Sequence, residues 1–111
     1  HGEPGTRVEP LKSANAVADD MLKIVMDDHA LAAGSEVAGL LSGLGATSVN
    51  ELYVLYDRIE AGLTGLGMTV HRAYVGNYFT SLEMVGATLT VLALDAELKS
   101  LLDMDCATPA F

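Results

Sequence analysis

Positive charge is scarce in this chain. Six lysines and arginines stand against fifteen aspartates and glutamates, a formal net charge of -9 over 111 residues. A protein that grips a phosphate backbone needs the opposite balance, so no nucleic-acid partner is expected. The same field repels an anionic membrane surface. Cysteine is nearly absent. Cys106 stands alone and has no intrachain partner for a disulfide, which fits a reducing, cytoplasmic setting. No apolar run approaches the roughly 20 residues that cross a bilayer. The chain opens on His1 rather than Met, with no signal peptide ahead of the body, and reads as a piece of a longer polypeptide. What is present is 50% hydrophobic and 19% charged. That is enough apolar content for one compact domain and too much for a disordered chain.

The opening ten residues hold Pro4, Pro10, Gly2 and Gly5, which is turn chemistry. Ser13 can cap a first helix, whose apolar face carries Ala14, Val17, Ala18, Met21, Leu22 and Val25 and which ends near Asp28 to Ala30. Val37 to Leu41 is a short apolar run suited to a buried strand, broken by residues 42–47. Ser48 and Glu51 form a capping box. The helix behind it repeats Leu52, Leu55, Tyr56, Ile59 and Leu63 on one face and stops at Gly65 and Gly67. Thr69 to Val75 predicts a second strand, parallel to the first through a right-handed crossover. Thr88 to Leu94 predicts a third, followed by a short helix capped by Asp95. The fold class is α/β: a two-layer sandwich with a mixed sheet and helices mainly on one face. So small a sheet leaves edges that a further strand or a partner chain should cover.

Several residues can carry chemistry. In His1-Gly2-Glu3-Pro4-Gly5, a neutral imidazole nitrogen can attack a carbonyl carbon or exchange a proton, and the glycines admit a small ligand close to the backbone. A disordered end is the plain alternative. Gly43-Leu44-Gly45-Ala46-Thr47 sits ahead of a helix N-terminus, where backbone N–H groups can hold an anion. It lacks the lysine and spacing of a phosphate loop, which favours a simple connecting turn. The stretch from Gly76 to Met84 gathers polar and aromatic groups and suits either a site or a packed loop at a subunit interface. Asp27, Asp28 and His29 read as a solvated helix end rather than a metal site. His71 stands isolated on a sheet face, and Cys106 has no base to activate it.

Three strings taken together resemble a known family. They are His1-Gly2-Glu3-Pro4-Gly5, then Leu44-Gly45-Ala46-Thr47 with Glu51-Leu52-Tyr53, then Gly76-Asn77-Tyr78-Phe79-Thr80-Ser81-Leu82-Glu83-Met84. With Leu101-Leu102-Asp103 and Thr108-Pro109-Ala110 at the end, the chain resembles the dihydroxyacetone kinase substrate-binding subunit, at its C-terminal part. The match keeps its order over nearly the whole chain, and only about residues 11–36 are generic.

The resemblance implies a specific chemistry. The family's histidine in this string binds a short ketose covalently as a hemiaminal, a role that falls on His1 as catalytic and substrate-binding residue. Only a carbonyl can form that adduct, so polyols such as glycerol are refused. Covalency also holds a ligand too small to bind tightly by contact area. The implied partners are dihydroxyacetone, a nucleotide-binding kinase domain or subunit, and a second copy in a homodimer. The implied cofactor, ATP or bound ADP with magnesium, sits on that separate domain or subunit; none is expected on residues 1–111, nor any metal. The family's upstream half supplies the other acid–base residues and is missing here, so the chain alone is expected to be inactive. A related ketose such as erythrulose, or a ketose-sensing transcriptional co-activator role without phosphate transfer, is the alternative.

Overall fold

The computed structural model describes residues 4–29, 31–80 and 83–110. His1, Gly2, Glu3, Ala30, Ser81, Leu82 and Phe111 lie outside the described residues. The order of elements is α1 (Ala14–Asp28), β1 (Glu36–Gly43), α2 (Val49–Gly65), β2 (Thr69–Gly76), β3 (Ala87–Leu94) and α3 (Ala96–Leu102).

Each helix begins where a side-chain oxygen can accept the first orphan N–H groups. Ser13 accepts from the Ala16 N–H at 3.3 Å and Asp95 from the Leu98 N–H at 2.7 Å. At α2 the capping box is complete. The Ser48 hydroxyl accepts from the Glu51 N–H at 3.3 Å, and the Glu51 carboxylate accepts from the Ser48 N–H at 3.0 Å. The Ser48 hydroxyl also lies 2.9 Å from the Glu51 carboxylate as a donor, and that bond, followed by the one from the Ser48 N–H, holds the Glu51 carboxyl below its ordinary range.

The sheet order is β2-β1-β3, with β1 parallel to β2 and antiparallel to β3. The mixed sheet and the parallel β1–α2–β2 unit are as the sequence predicts. β1 extends beyond the predicted run to take in Ser42 and Gly43, which pair with Gly76 on one side and with Thr88 and Ala87 on the other. Ladder pairing, on both sides for Ser42 and with β3 for Gly43, outweighs the poor strand propensity of Ser and Gly. The register with β2 shifts between Val37 and Ala38, which face Val70 and Arg72, so His71 of β2 is the residue left over.

One face of the sheet lies under α1 and α2. Val37 and Leu41 from β1, Leu52, Ile59 and Leu63 from α2, and Ala18 from α1 are all completely buried. Each buried Leu or Ile contributes roughly 1.5–3 kcal/mol through the water it sheds. The short α3 packs against β3 with no buried residue. Its Leu101 and Leu102 line a groove with Ala38 and Leu40. Since side chains alternate along a strand, that is the face opposite Val37 and Leu41.

A candidate site at the carboxyl ends of the parallel strands

In open α/β sheets, ligands collect outside the carboxyl ends of parallel strands. Here β1 and β2 end side by side, Ser42 facing Gly76. The two strings that carry no role by sequence alone, residues 43–47 and 76–84, leave from this edge, and the structure binds them to each other.

Ser42 is the joint at the base. It is wholly buried. Its hydroxyl accepts from the Tyr78 N–H at 3.1 Å and donates to the Gly43 carbonyl at 3.2 Å, while the Thr88 hydroxyl donates to the Ser42 carbonyl at 3.3 Å. Asn77 lays its side-chain oxygen against Gly43, where a Cβ would collide with it. Tyr74 and Tyr78 meet edge to face, ring centres 6.2 Å apart. The sequence pattern puts Ser42 in the break after a strand. A small hydroxyl after an apolar run carries no signal of its own, and only the pairing of both neighbours reveals its burial.

Above this base the loops are laced together. The Leu44 N–H donates to the Gly86 carbonyl at 3.1 Å, the Met84 N–H to the Leu44 carbonyl at 3.1 Å, and the Ala46 N–H to the Met84 carbonyl at 3.0 Å. Gly86 closes the corner by donating its N–H to the Thr47 hydroxyl at 2.8 Å. Gly86 has φ +153, and a Cβ there would come within 3.0 Å of Leu44, so a side chain would be both strained and crowded.

These bonds decide the reading of the glycine turn. The N–H groups of Leu44 and Ala46 are already spent on carbonyls, and the N-terminus of α2 is covered by the Glu51 carboxylate. With these bonds residues 43–47 form the connecting turn that their spacing favours.

The segment leading from the histidine string comes beside this edge. Arg7 pairs with Asp20 at 3.0 Å, and Lys12 pairs with Asp20 at 2.7 Å and with Glu9. These contacts fasten the segment to α1 and hold the Asp20 carboxyl low, chiefly through the hydrogen bond from Lys12. Leu11 and Lys12 then line a groove of about 730 Å³ together with Thr47, Val54, Val85 and Gly86.

The other sequence candidates fall elsewhere. His71, on the opposite half of β2, sets Nε2 against the Asp103 carboxylate at 2.8 and 3.0 Å. Arg72 donates to the same carboxylate at 2.9 Å and to the Leu102 carbonyl at 3.2 Å. The His71 bond, with the charges of His71 and Arg72 behind it, holds the Asp103 carboxyl below its usual range. His71 is thus a tie for the end of α3. Asp27 pairs with Lys23 at 2.5 Å at an exposed helix end, and His29 is exposed beside it. Cys106 is free and exposed. Among the described residues, no three His, Cys, Asp or Glu converge, and no helix is long and apolar enough to cross a membrane.

Comparison with known proteins puts a family on this fold. The pattern of the Dak1 domain matches residues 1–110. The chain belongs to the Dak1 domain family. Over all of its 111 residues, this Dak1 domain is 40% identical to the dihydroxyacetone-binding subunit DhaK of a PTS-dependent dihydroxyacetone kinase from Listeria innocua, of which it spans 34%. It is also 40% identical to an L-erythrulose 1-kinase of Mycolicibacterium smegmatis, covering all of the present chain and 20% of that enzyme. A solved structure described as regulation of the dha operon of Lactococcus lactis superposes with a TM-score of 0.88 at 31% identity. That match covers the whole Dak1 chain and 35% of the solved one. The Dak1 domain here thus corresponds to about a third of such relatives, or less.

Proposed function

We propose that the chain is the ketose-holding part of a dihydroxyacetone kinase, with His1 as the residue that binds the substrate. The observation that carries this reading is the match, over all of this chain and 34% of the relative, to a subunit named for binding dihydroxyacetone, a match that spans His1-Gly2-Glu3-Pro4-Gly5. A neutral ring nitrogen of His1 adds to the ketone carbon. The C–N bond forms, the carbonyl π-pair moves to oxygen, that oxygen gains a proton, and the ring N–H gives one up. No group leaves, so the step reverses freely, and polyols without a carbonyl cannot take part.

The held ketose then offers a terminal hydroxyl for phosphorylation to dihydroxyacetone phosphate. The nucleotide with its magnesium supplies the phosphoryl group from a separate domain or subunit. The remaining two-thirds of the relatives' length carries the other acid–base residues, so the chain alone is inactive. The parent is cytoplasmic and homodimeric, and the outer edges of β2 and β3, unpaired among the described residues, are consistent with further pairing.

The test is carbon NMR of carbonyl-labelled dihydroxyacetone. It is run with the chain and with a chimera in which the chain replaces the matching third of the Listeria subunit, each as wild type and His1→Ala. Conversion of the ketone signal to a saturated carbon, lost in His1→Ala, is the expected result. A ketone signal unchanged by the wild-type chimera overturns the reading. A second reading, a ketose-sensing co-activator, is favoured by the likeness to the structure described by operon regulation. Adduct formation without phosphate transfer in the fully assembled system would support it. Labelled erythrulose in the same experiment separates the two ketoses.

A further inference from the structure

All six lysine and arginine side chains are already engaged within the chain. Arg7 and Lys12 meet Glu9 and Asp20, Lys23 meets Asp27, Arg58 meets Asp19, Arg72 meets Asp103 and Lys99 meets Glu36. Fifteen acids outnumber them, so some carboxylates must find their cation in another molecule or in solvent. Asp57 and Glu60 are two of these, with no ion pair among the described residues. Their surroundings set them apart from a solvated acidic face.

Asp57 and Glu60 lie one turn apart on α2. They line a cleft of about 360 Å³ with Tyr53, Tyr56, Ala73 and Val75. Ala73 and Val75 belong to β2, the outer strand of the order β2-β1-β3, and no further strand pairs beyond it among the described residues. Tyr56 is only 4% exposed, and its hydroxyl is buried with no hydrogen-bond partner. That hydroxyl ends over Gly39, where a Cβ would collide with it. Gly39 is the ladder partner of Ala73 in the cleft floor. The orphan oxygen thus marks the inner end of the cleft, and Tyr53, 58% exposed, its mouth.

These features ask for one kind of guest. The two carboxylates call for positive charge, the tyrosine rings attract a cation to their faces, and the phenolic oxygen can accept an N–H. A guanidinium group answers all three, because it lies flat on a ring and fans its N–H donors toward separate acceptors. A metal ion is the poorer guest, since no three His, Cys, Asp or Glu converge among the described residues.

We infer that this cleft receives the guanidinium group of an arginine from a partner chain, held by the Asp57 and Glu60 carboxylates against Tyr53, with the Tyr56 hydroxyl as its innermost acceptor. An extended segment along the unpaired edge of β2 would present such a side chain, since alternate residues of an added strand fall on the helix side. The inference is independent of the ketose reading and uses none of its residues.

The test titrates N-acetyl-arginine amide into the isotope-labelled chain at pH 7 and low salt. The control is N-acetyl-citrulline amide, of the same shape without the charge, at matched ionic strength. Saturable NMR shifts of the Tyr53 and Tyr56 rings and the Ala73 and Val75 amides are expected, half complete near about 10 mM. Citrulline should bind at least about tenfold more weakly, and so should arginine to Asp57→Asn/Glu60→Gln. Tyr56→Phe should weaken arginine about threefold. Equal response to citrulline overturns the inference, as do shifts that persist in the double variant or full affinity in Tyr56→Phe. No saturable shift at ten times the expected concentration also overturns it. Should the double variant fail to fold, the citrulline comparison in the wild-type chain decides by itself.

Discussion

The two faces of the sheet are held by different physics. On the helix side, Val37 and Leu41 disappear completely beneath Leu52, Ile59 and Leu63. On the other side, Leu92 remains 44% exposed and Leu101 55% exposed, and α3 is tied down mainly by charge. Lys99 reaches Glu36 at 2.6 Å, and His71 and Arg72 share the Asp103 carboxylate. Packing holds the first layer through area removed from water and through dispersion, both short-ranged and insensitive to salt. The second layer depends on partly solvated ion pairs, which are individually weak and screened. Stability should therefore reside in α1, α2 and the sheet, with α3 the first element to loosen.

The sharpest way to break this contrast is to hollow the packed side. Ile59→Ala should cost about 2–5 kcal/mol in urea unfolding, while Leu92→Ala on the open face should cost less than about 1 kcal/mol. Similar losses at the two positions would mean that the open face is packed after all. Next in size is the cap of the packed layer's longest helix: Ser48→Ala should cost roughly 1 kcal/mol by orphaning N–H groups at the start of α2.

A smaller effect should appear on the charged side. The Asp103 and Glu36 carboxyls lie below their ordinary values, pulled down first by the hydrogen bonds from His71 and Lys99 respectively. A depressed acid contributes stability above its unfolded pKa of about 4 and loses it as the pH falls through its folded value. Protection of α3 amides should therefore drop below about pH 4, and also in high salt at neutral pH. Asp103→Asn should flatten most of that dependence. Unchanged α3 protection in molar salt would show that packing rather than charge holds it.

The smallest expected effect lies inside the packed layer. The Tyr56 hydroxyl is buried with no hydrogen-bond partner, and burial, with the Glu60 charge behind it, pushes its pKa up to about 12. Its neutral form is favoured by folding. Its contribution is full below the unfolded value of about 10 and declines as the pH rises through the folded value. Tyr56→Phe removes a hydroxyl that bonds to nothing, so it should change stability by less than about 1 kcal/mol at pH 7 and should remove part of the alkaline destabilisation.

Much of this architecture is legible locally. Ser13, Ser48 and Asp95 mark the helix starts, because an N-cap is a side chain bonding its own neighbours. The stripe of Leu52, Tyr56, Ile59 and Leu63 announces the buried face of α2, because helical period and burial coincide there. The histidine string and its companions suffice to point to the family. The partnership of His71 with Asp103, 32 residues apart, is invisible to local pattern, and so is the burial of Ser42.

The sequence by itself therefore determined the elements, their caps, the apolar faces that had to meet, and the family to which the chain belongs. These depend on contacts within a few residues or on strings that stand whole in the chain. Only the tertiary structure decided that the turn after β1 and the loop before β3 are one laced unit, closed by Thr47 on Gly86 across 39 residues. It also decided that the N–H groups of Leu44 and Ala46 are spent and that His71 is a tie. Each of these is a hydrogen bond between distant segments. Such a bond exists only once the sheet has brought its ends together.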